Sequence, residues 1–410
     1  MITRACFLCG EPGVAPVIDL GPHPLADTFL KRSQLREPET RYPLTVVACG
    51  RCGHLMTGHV VPAATRYQAN EYSYTSSNSA VALAHFDELA RDAVRVAGVG
   101  PGDLVVDIGS NVGTLLAGVA QHARCAVLGV DPSPNIARLA ERAGIPTVPD
   151  FLSADVVADI ARRARPRLVT GTNVGNHIED QFAFARDADA LLAPDGVLAL
   201  EVPYAGTLVE ETSFDTIYLE HVCYFFLAPL RRFWAEHGFR VARVSFNAYM
   251  GGTMRVYLAR HLPEDPRVGE LVRREEERGY FAPETYREFM RRVVGLKTTL
   301  MHRLYEIRAG GGRIVGVGAA TKGNTLLNYC GIDGALLAYV TDTSPLKVGK
   351  YTPGSRLRIR HDAELRSGDV THGLILPWNL QGLLGGKLAG LGIEPVVPHP
   401  APPAEPAVAG

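Results

Sequence analysis

The sequence predicts an α/β fold in three parts: a small metal-binding module, a central doubly wound Rossmann-like domain and a second Rossmann-like α/β domain. Three observations carry this reading. Cysteine pairs of the form C-x2-C occur at Cys6/Cys9 and at Cys49/Cys52. An apolar strand-like run passes through a glycine-rich turn into a helical repeat twice, in VVDIGSNVGTLL (105–116) and in GVGAATKGNTLL (316–327). At 410 residues, the chain also exceeds the size at which one hydrophobic core stops growing.

Composition narrows the class. An apolar fraction of 46% and a charged fraction of 21% are ordinary for a soluble globular protein. A formal net charge of -1 argues against binding nucleic acid through its phosphates, so no nucleic-acid partner is expected. The chain has no eighteen-residue apolar run and no charged-then-apolar start, so neither a membrane span nor a signal peptide is expected. The expected location is the cytoplasm, where seven cysteines speak for metal or catalysis before disulfides.

The elements follow in order. Residues 1–75 are rich in Pro, Gly and Cys and lack an amphipathic period, as a small loop-rich module would. Each C-x2-C turn brings two sulfurs together, and two such turns close a tetrahedral thiolate site. Cys6, Cys9, Cys49 and Cys52 are therefore expected to hold a structural Zn2+ with no open position; His54 and His59 are spare nitrogen donors that four cysteines make unnecessary.

Residues 76–265 alternate. A helical stretch NSAVALAHFDELARDAVRVAG precedes the strand LVVDIG, and the helix GTLLAGVAQHA precedes the strand CAVLGVD and the helix PNIARLAERAG. Strands continue at RLVTGTNV and GVLALEVP, and FRVARVSF with GTMRVYLAR forms an antiparallel edge pair. From 266 to 310, charged residues at helical spacing predict long connecting helices with a solvated face. The second α/β pattern completes a domain of residues 266–410, through GRIVGVGAATKGNTLLNYCG, ALLAYVTD, THGLILP and IEPVVP. Its Pro/Ala-rich tail, about 400–410, is expected to be disordered.

Chemistry concentrates at four places. In VVDIGSNVGTLL the spacing is D-x-G-x-x-x-G, and Asn111 stands where a dinucleotide loop has its second glycine. That suits a ligand without phosphate, such as S-adenosyl-L-methionine (SAM). Asp107 and the backbone of Gly109, Ser110, Asn111 and Gly113 would meet its amino-acid end, and Asp131, ending the next strand, its ribose hydroxyls. TNVGNHIED follows the fourth strand, so Asn173, Asn176 and His177 should face the same crevice. YLEHVCYFF (218–226) sets Glu220 beside His221 in an apolar aromatic run. On an extended strand, Tyr218 and Glu220 would share a face and His221 would take the other. In the second glycine-rich turn, Lys322 and the amides near Gly323 and Asn324 form a candidate diphosphate site, with Lys347, Lys350 and Arg255 as further cations.

The assembly of CFLC, GPHPLADTFL, CGRCGHL, YSYTSSNS, DIGSNVGTLL, NVGNHIED, YLEHVCYF, GGTMRVYLAR, GVGAATKGNTLLNYCG, DTSPLKVGKYTPGSRLRI and LPWN resembles the sugar C-methyltransferases acting on nucleotide-linked 4-keto-deoxysugars. Asp27, Met250, Val112 and Cys223 depart from the residues usual in that family. The resemblance implies a zinc module, a class I SAM-methyltransferase domain and a C-terminal domain that helps hold the sugar nucleotide. It also implies that YLEH carries the catalysis, with His177 and Tyr72 lining the sugar site. The implied substrate is a dTDP-linked 4-keto-deoxysugar, methylated beside its ketone, with C-3 favoured and C-5 or another activated keto compound as alternatives. A zinc-module RNA methyltransferase is a more distant alternative that the near-neutral charge disfavours. Within this frame His221 is the expected base, because imidazole titrates near working pH. Glu220 would orient the site or hydrogen-bond the sugar, and Tyr218 or His177 would donate to the enolate oxygen. The sequence is silent on oligomeric state, and a monomer is compatible with it.

Overall fold

The computed structural model describes residues 1–398 apart from Asn70 and Asn78, so the Pro/Ala-rich tail expected to be disordered lies outside the described residues. The N-terminal part contains β1 (Val14–His23), β2 (Tyr42–Cys49), β3 (Leu55–Thr57) and the short helix α1 (Ala63–Tyr67). This is more sheet than the loop-rich composition suggests. β1 and β2 pair antiparallel from Val14 opposite Cys49 to His23 opposite Tyr42, with register shifts between Pro16 and Ile18 and between Asp19 and Pro22. Bulges and prolines break the two-residue alternation that would announce a strand, and an edge strand tolerates both.

The central part runs α2 (Ala80–Ala97), β4 (Leu104–Ile108), α3 (Thr114–Ala123), β5 (Ala126–Val130), α4 (Pro134–Arg142), β6 (Thr147–Val148), α5 (Ala154–Ala161), β7 (Leu168–Thr172) and α6 (Gln181–Leu191). It continues through β8 (Val197–Pro203), α7 (Ala205–Glu210), β9 (Cys223–Tyr224), α8 (Leu227–Glu236), β10 (Arg240–Asn247) and β11 (Thr253–Ala259). α2 starts where the Ser79 side chain accepts the Ala82 N–H and stops at left-handed Gly98. Its buried stripe of Phe86, Leu89, Ala90, Ala93 and Ala97 keeps helical spacing.

Seven strands form one sheet in the order β10-β11-β8-β7-β4-β5-β6. β4 to β8 pair parallel, and the β10–β11 hairpin adds antiparallel against β8, as the expected edge pair. Strand order reverses between β4 and β7, so the crevice beyond their carboxyl ends is the ligand position of a doubly wound sheet. β9 leaves this sheet. It pairs with β3, Leu55 opposite Tyr224 and Met56 opposite Cys223, and completes a four-stranded sheet β1-β2-β3-β9.

Two helices, α9 (Val268–Glu277) and α10 (Pro283–Ala309), lead to a parallel sheet ordered β14-β13-β12-β15-β16. Its elements are β12 (Ile314–Val317), α11 (Thr321–Cys330), β13 (Leu337–Asp342), β14 (Ile359–His361), β15 (His372–Ile375), α12 (Gln381–Ala389) and β16 (Glu394–Val396). One hydrophobic cluster runs from Ile18 and Leu44 through Phe214, Ile217 and Leu219 to Phe289, Leu304, Leu326 and Val340. The N-terminal sheet and the C-terminal domain thus share a core, and the Tyr218–His221 segment is anchored in it by Leu219. Among the described residues no helix is long and apolar enough to cross a membrane.

Glu275 on α9 fastens the connecting helices to the central domain. Its carboxylate accepts the Leu227 N–H (2.7 Å), the Ala228 N–H (2.8 Å) and the Tyr204 hydroxyl (2.9 Å), so it caps α8 from another element. Glu275→Ala strands one buried and one half-buried amide and should cost about 2 kcal/mol. Thermal unfolding checks this, with exposed Glu276→Ala near wild type as the control.

Candidate active site

Residues 218–221 form a tight turn, not the extended strand that alternation suggested: the His221 N–H donates to the Tyr218 carbonyl at 2.9 Å. A turn brings positions one and four together. The Tyr218 hydroxyl lies 2.5 Å from His221 Nε2, with ring centroids 3.8 Å apart. His221 Nδ1 lies 2.9 Å from the Thr216 carbonyl, which can only accept, so Nδ1 carries the hydrogen and Nε2 the lone pair. Burial holds the imidazole well below its usual pKa and therefore neutral, with His177 reinforcing the effect. Glu220 points away from this pair. Its Oε1 accepts the Asp27 N–H at 2.9 Å, while Oε2 is buried without a partner.

His177 sits in a single helical turn just beyond β7. Its Nδ1 lies 2.8 Å from the Glu220 carbonyl and 2.6 Å from the Tyr67 hydroxyl, and its ring stands edge-on to His221 at 4.8 Å. Burial lowers its pKa to about 3, so both imidazoles are neutral. The buried Arg66 binds the two segments together. Its guanidinium donates to the carbonyls of Val61 (2.8 Å), His177 (2.8 Å) and Glu220 (3.4 Å), and pairs with Glu179 at 2.5 Å. Tyr72 packs edge-on to Tyr67 at 5.7 Å, and its backbone exchanges hydrogen bonds with the Asn135 side chain. Arg66, Tyr67, Thr216 and Asp27 are the members sequence reasoning missed. Arg66 and Tyr67 end a five-residue helix, and their links to His177 are 111 and 110 positions away, so no spacing marks them.

The cofactor turn lies at the switch point. Asp107 ends β4 and accepts the Thr170 hydroxyl at 2.6 Å, and burial pushes its carboxyl up to about 7. Gly109, Asn111 and Gly113 take left-handed φ of 67°, 52° and 78°. A Cβ at Gly113 would lie 2.7 Å from Ile145, and one at Gly109 2.9 Å from Val174, so both positions need glycine. Asp131 spends one lone pair of each oxygen on the loop, accepting the Asn111 and Ser133 N–H groups at 2.9 Å. Ser110 Oγ and both polar atoms of the Asn176 side chain are buried and unpartnered. Asn173, left-handed at φ 53°, donates its N–H to the Glu201 carbonyl at 2.7 Å. A left-handed glycine turn with a free hydroxyl and a strand-end acid fits SAM: Asp107, Ser110 and Asn173 would hold it, whereas the N–H groups of Gly109, Ser110, Asn111 and Gly113, expected to meet its amino-acid end, are already donated to Val130, Asp131 and Ser110.

The second glycine-rich turn differs from the diphosphate site expected there. Gly323 is required by packing, since a Cβ would meet Leu376 at 2.8 Å. Asn324 donates to the Ala26 carbonyl at 2.7 Å, and Lys347 to the Ala319 carbonyl at 2.9 Å. Lys350 pairs with Glu71 at 3.2 Å. Arg255 belongs to β11, buried against Glu201 (2.8 Å), Glu88 (2.9 Å) and Asp92 (3.6 Å). Three carboxylates saturate its guanidinium, so it is not a cation free for substrate. Lys322 alone keeps an unpartnered ammonium.

The four Sγ atoms of Cys6, Cys9, Cys49 and Cys52 lie within 4.8 Å of one another, with Cys6–Cys52 and Cys9–Cys49 at 3.5 Å. Tetrahedral thiolates on zinc stand about 3.8 Å apart, so the cluster fits that ion. His54 packs on Phe225 at 5.4 Å with neither ring nitrogen partnered, outside the cluster.

Two measurements test these centres. Purified protein should carry one zinc per chain by elemental analysis, and Cys49→Ser should lose it, with a large fall in thermal stability. Burial raises the Glu220 carboxyl to about 7 from an ordinary 4.5, against the pull of the Asp27 N–H. The folded chain then keeps a proton that the unfolded chain releases, so this residue's contribution to stability falls as pH rises from about 4.5 to about 7. The unfolding temperature of wild type minus that of Glu220→Gln should decline across that window.

A C-methyltransferase C-terminal domain model matches residues 248–391, a methyltransferase domain model residues 83–244 and a zinc binding domain model residues 6–67. C-methyltransferase NovU of Streptomyces niveus is 34% identical over 378 residues, 91% of this chain and 89% of the relative. Among solved structures, magnesium protoporphyrin IX methyltransferase of Synechocystis PCC 6803 with bound SAM is 18% identical, with TM-score 0.34, over 43% of this chain and 79% of that one. A SAM-dependent methyltransferase from Clostridium acetobutylicum ATCC 824 is 9% identical, with TM-score 0.35, over 43% and 91%. The chain belongs to the zinc-containing, SAM-dependent C-methyltransferase family that includes NovU.

Proposed function

We propose that this enzyme methylates a carbon beside the ketone of a dTDP-linked 4-keto-deoxysugar, C-3 in the favoured reading, in cytoplasmic deoxysugar and antibiotic biosynthesis. The observation that carries this is the Tyr218–His221 pair, whose Nδ1–H is committed to Thr216 and whose Nε2 lone pair holds only a phenol. A ketone makes its neighbouring C–H acidic enough for imidazole, provided the oxygen is stabilised as charge develops. The substrate ketone takes over the Tyr218 hydrogen bond, which frees Nε2 to accept the ring proton. His177 is the weaker candidate for that donor: its Nδ1–H serves the Glu220 carbonyl, which leaves Nε2 without a hydrogen. SAM, once held by the glycine-rich loop, supplies the sulfonium methyl that the enolate carbon takes. Neutral, buried imidazoles keep competing charge out of the site, and the buried turn keeps water from quenching the enolate.

Incubation with SAM and a panel of dTDP-4-keto-deoxysugars, read by mass and NMR, should give a product methylated beside the ketone. The new signal also decides between C-3 and C-5. His221→Ala should lower kcat by about 10²- to 10⁴-fold and abolish exchange of the ring C–H with D2O in the absence of SAM. Tyr218→Phe should cost about 10²-fold. Exchange at the wild-type rate in His221→Ala would remove this base from the reaction.

A further inference from the structure

Behind the Tyr249–Gly252 turn lies a second group of polar atoms without partners. Ser213 Oγ, Asp215 Oδ1 and Lys322 Nζ are all buried and make no hydrogen bond. Trp378 links two of them: its Nε1–H donates to Asp215 Oδ2 at 2.7 Å, and Lys322 Nζ lies 4.5 Å over its ring. Gly251 connects the group to the catalytic cleft. It lines that cleft with Ser213, Thr216 and His221, and its Cβ position is 3.7 Å from Lys322 Nζ. The ammonium therefore lies behind a wall of the cleft at which no side chain stands.

We propose that Lys322, Asp215 and Ser213 form a subsite that recognises a hydroxyl of the acceptor sugar ring, and not its diphosphate. This inference rests on the keto-sugar reading above. An ammonium buried without an acceptor is costly, and so is a carboxylate oxygen buried without a donor. One ligand hydroxyl satisfies both, since it accepts from Lys322 and donates to Asp215. A diphosphate has no hydrogen for Asp215 and would be repelled by it. Burial lowers the Lys322 ammonium and outweighs the upward pull of Asp215 and Glu211.

The test measures binding and turnover of matched dTDP-4-keto sugars that differ by one ring hydroxyl, in wild type, Lys322→Met and Asp215→Asn. The Asn variant keeps an acceptor for the Trp378 N–H and so guards against loss of the fold. Wild type should prefer one hydroxylated sugar by at least about 10-fold in Kd and kcat/KM, and each variant should compress that ratio toward one. Binding of dTDP alone, by calorimetry, should be within about twofold of wild type in Lys322→Met. An unchanged hydroxyl preference in both variants, or a tenfold loss of dTDP affinity in Lys322→Met, overturns the subsite. If wild type binds the sugars with that preference yet methylates none, the functional reading fails and the subsite stands.

Discussion

A single buried carboxylate, Asp27, holds the pieces of this enzyme in register. Its Oδ1 accepts the hydroxyls of Ser73 and Thr321, both at 2.8 Å, and its Oδ2 accepts the Ser73 N–H at 3.1 Å. Its own N–H donates to Glu220. The metal module, the segment carrying Tyr72, the Tyr218–His221 turn and the start of α11 thus converge on one residue. Three donors replace the water that burial removes, which is the condition for keeping such a group inside a protein. An asparagine here would present an amide NH2 to one of these donors, and this explains why an acid occupies the position.

The electrostatics of the site follow from its dryness. Two histidines, three tyrosines and Glu220 crowd together, and burial drives each toward its neutral form. The one fixed cation, Arg66, is matched by Glu179 and turns its remaining donors to carbonyls. On the reading proposed above, taking a proton from carbon in such a place creates an imidazolium and an enolate side by side. Their attraction is strong where the dielectric is low, and phenol hydrogen bonds already oriented there need no rearrangement to meet the new charge. The unpartnered atoms at Lys322 and Asp215 are likewise shut off from the protein surface.

Much of the fold was legible in the chain, for reasons that also mark the limit. Helices such as α2 bury a stripe at a period the sequence displays, and strands such as β4 and β8 are apolar runs buried on both faces. The thiolate cluster was legible because each half is a local turn. The sheet of the metal module was not, since prolines and bulges hide its alternation and its fourth strand comes from residues 223–224. In YLEH alternation misplaced the geometry: a turn pairs Tyr218 with His221 and sends Glu220 elsewhere. Arg255 looked like a free cation because Glu88, one of its partners, lies 167 positions away.

Asn111 shows how one departure from a pattern does structural work. A loop built for a diphosphate needs bare backbone at that position. Here the side chain accepts the Ser76 N–H at 2.8 Å and donates to the Tyr74 carbonyl at 3.1 Å. Ser76 Oγ meets Thr114 Oγ1 at 2.7 Å, at the first turn of α3. The segment fastened in this way carries Tyr72 and Ser73, and Ser73 reaches Asp27 and through it Glu220. Asn111 therefore ties the glycine-rich turn, through Ser73 and Asp27, to Glu220. Methyl transfer to carbon gains from such a linkage, because its rate depends on how well two bound molecules are held face to face.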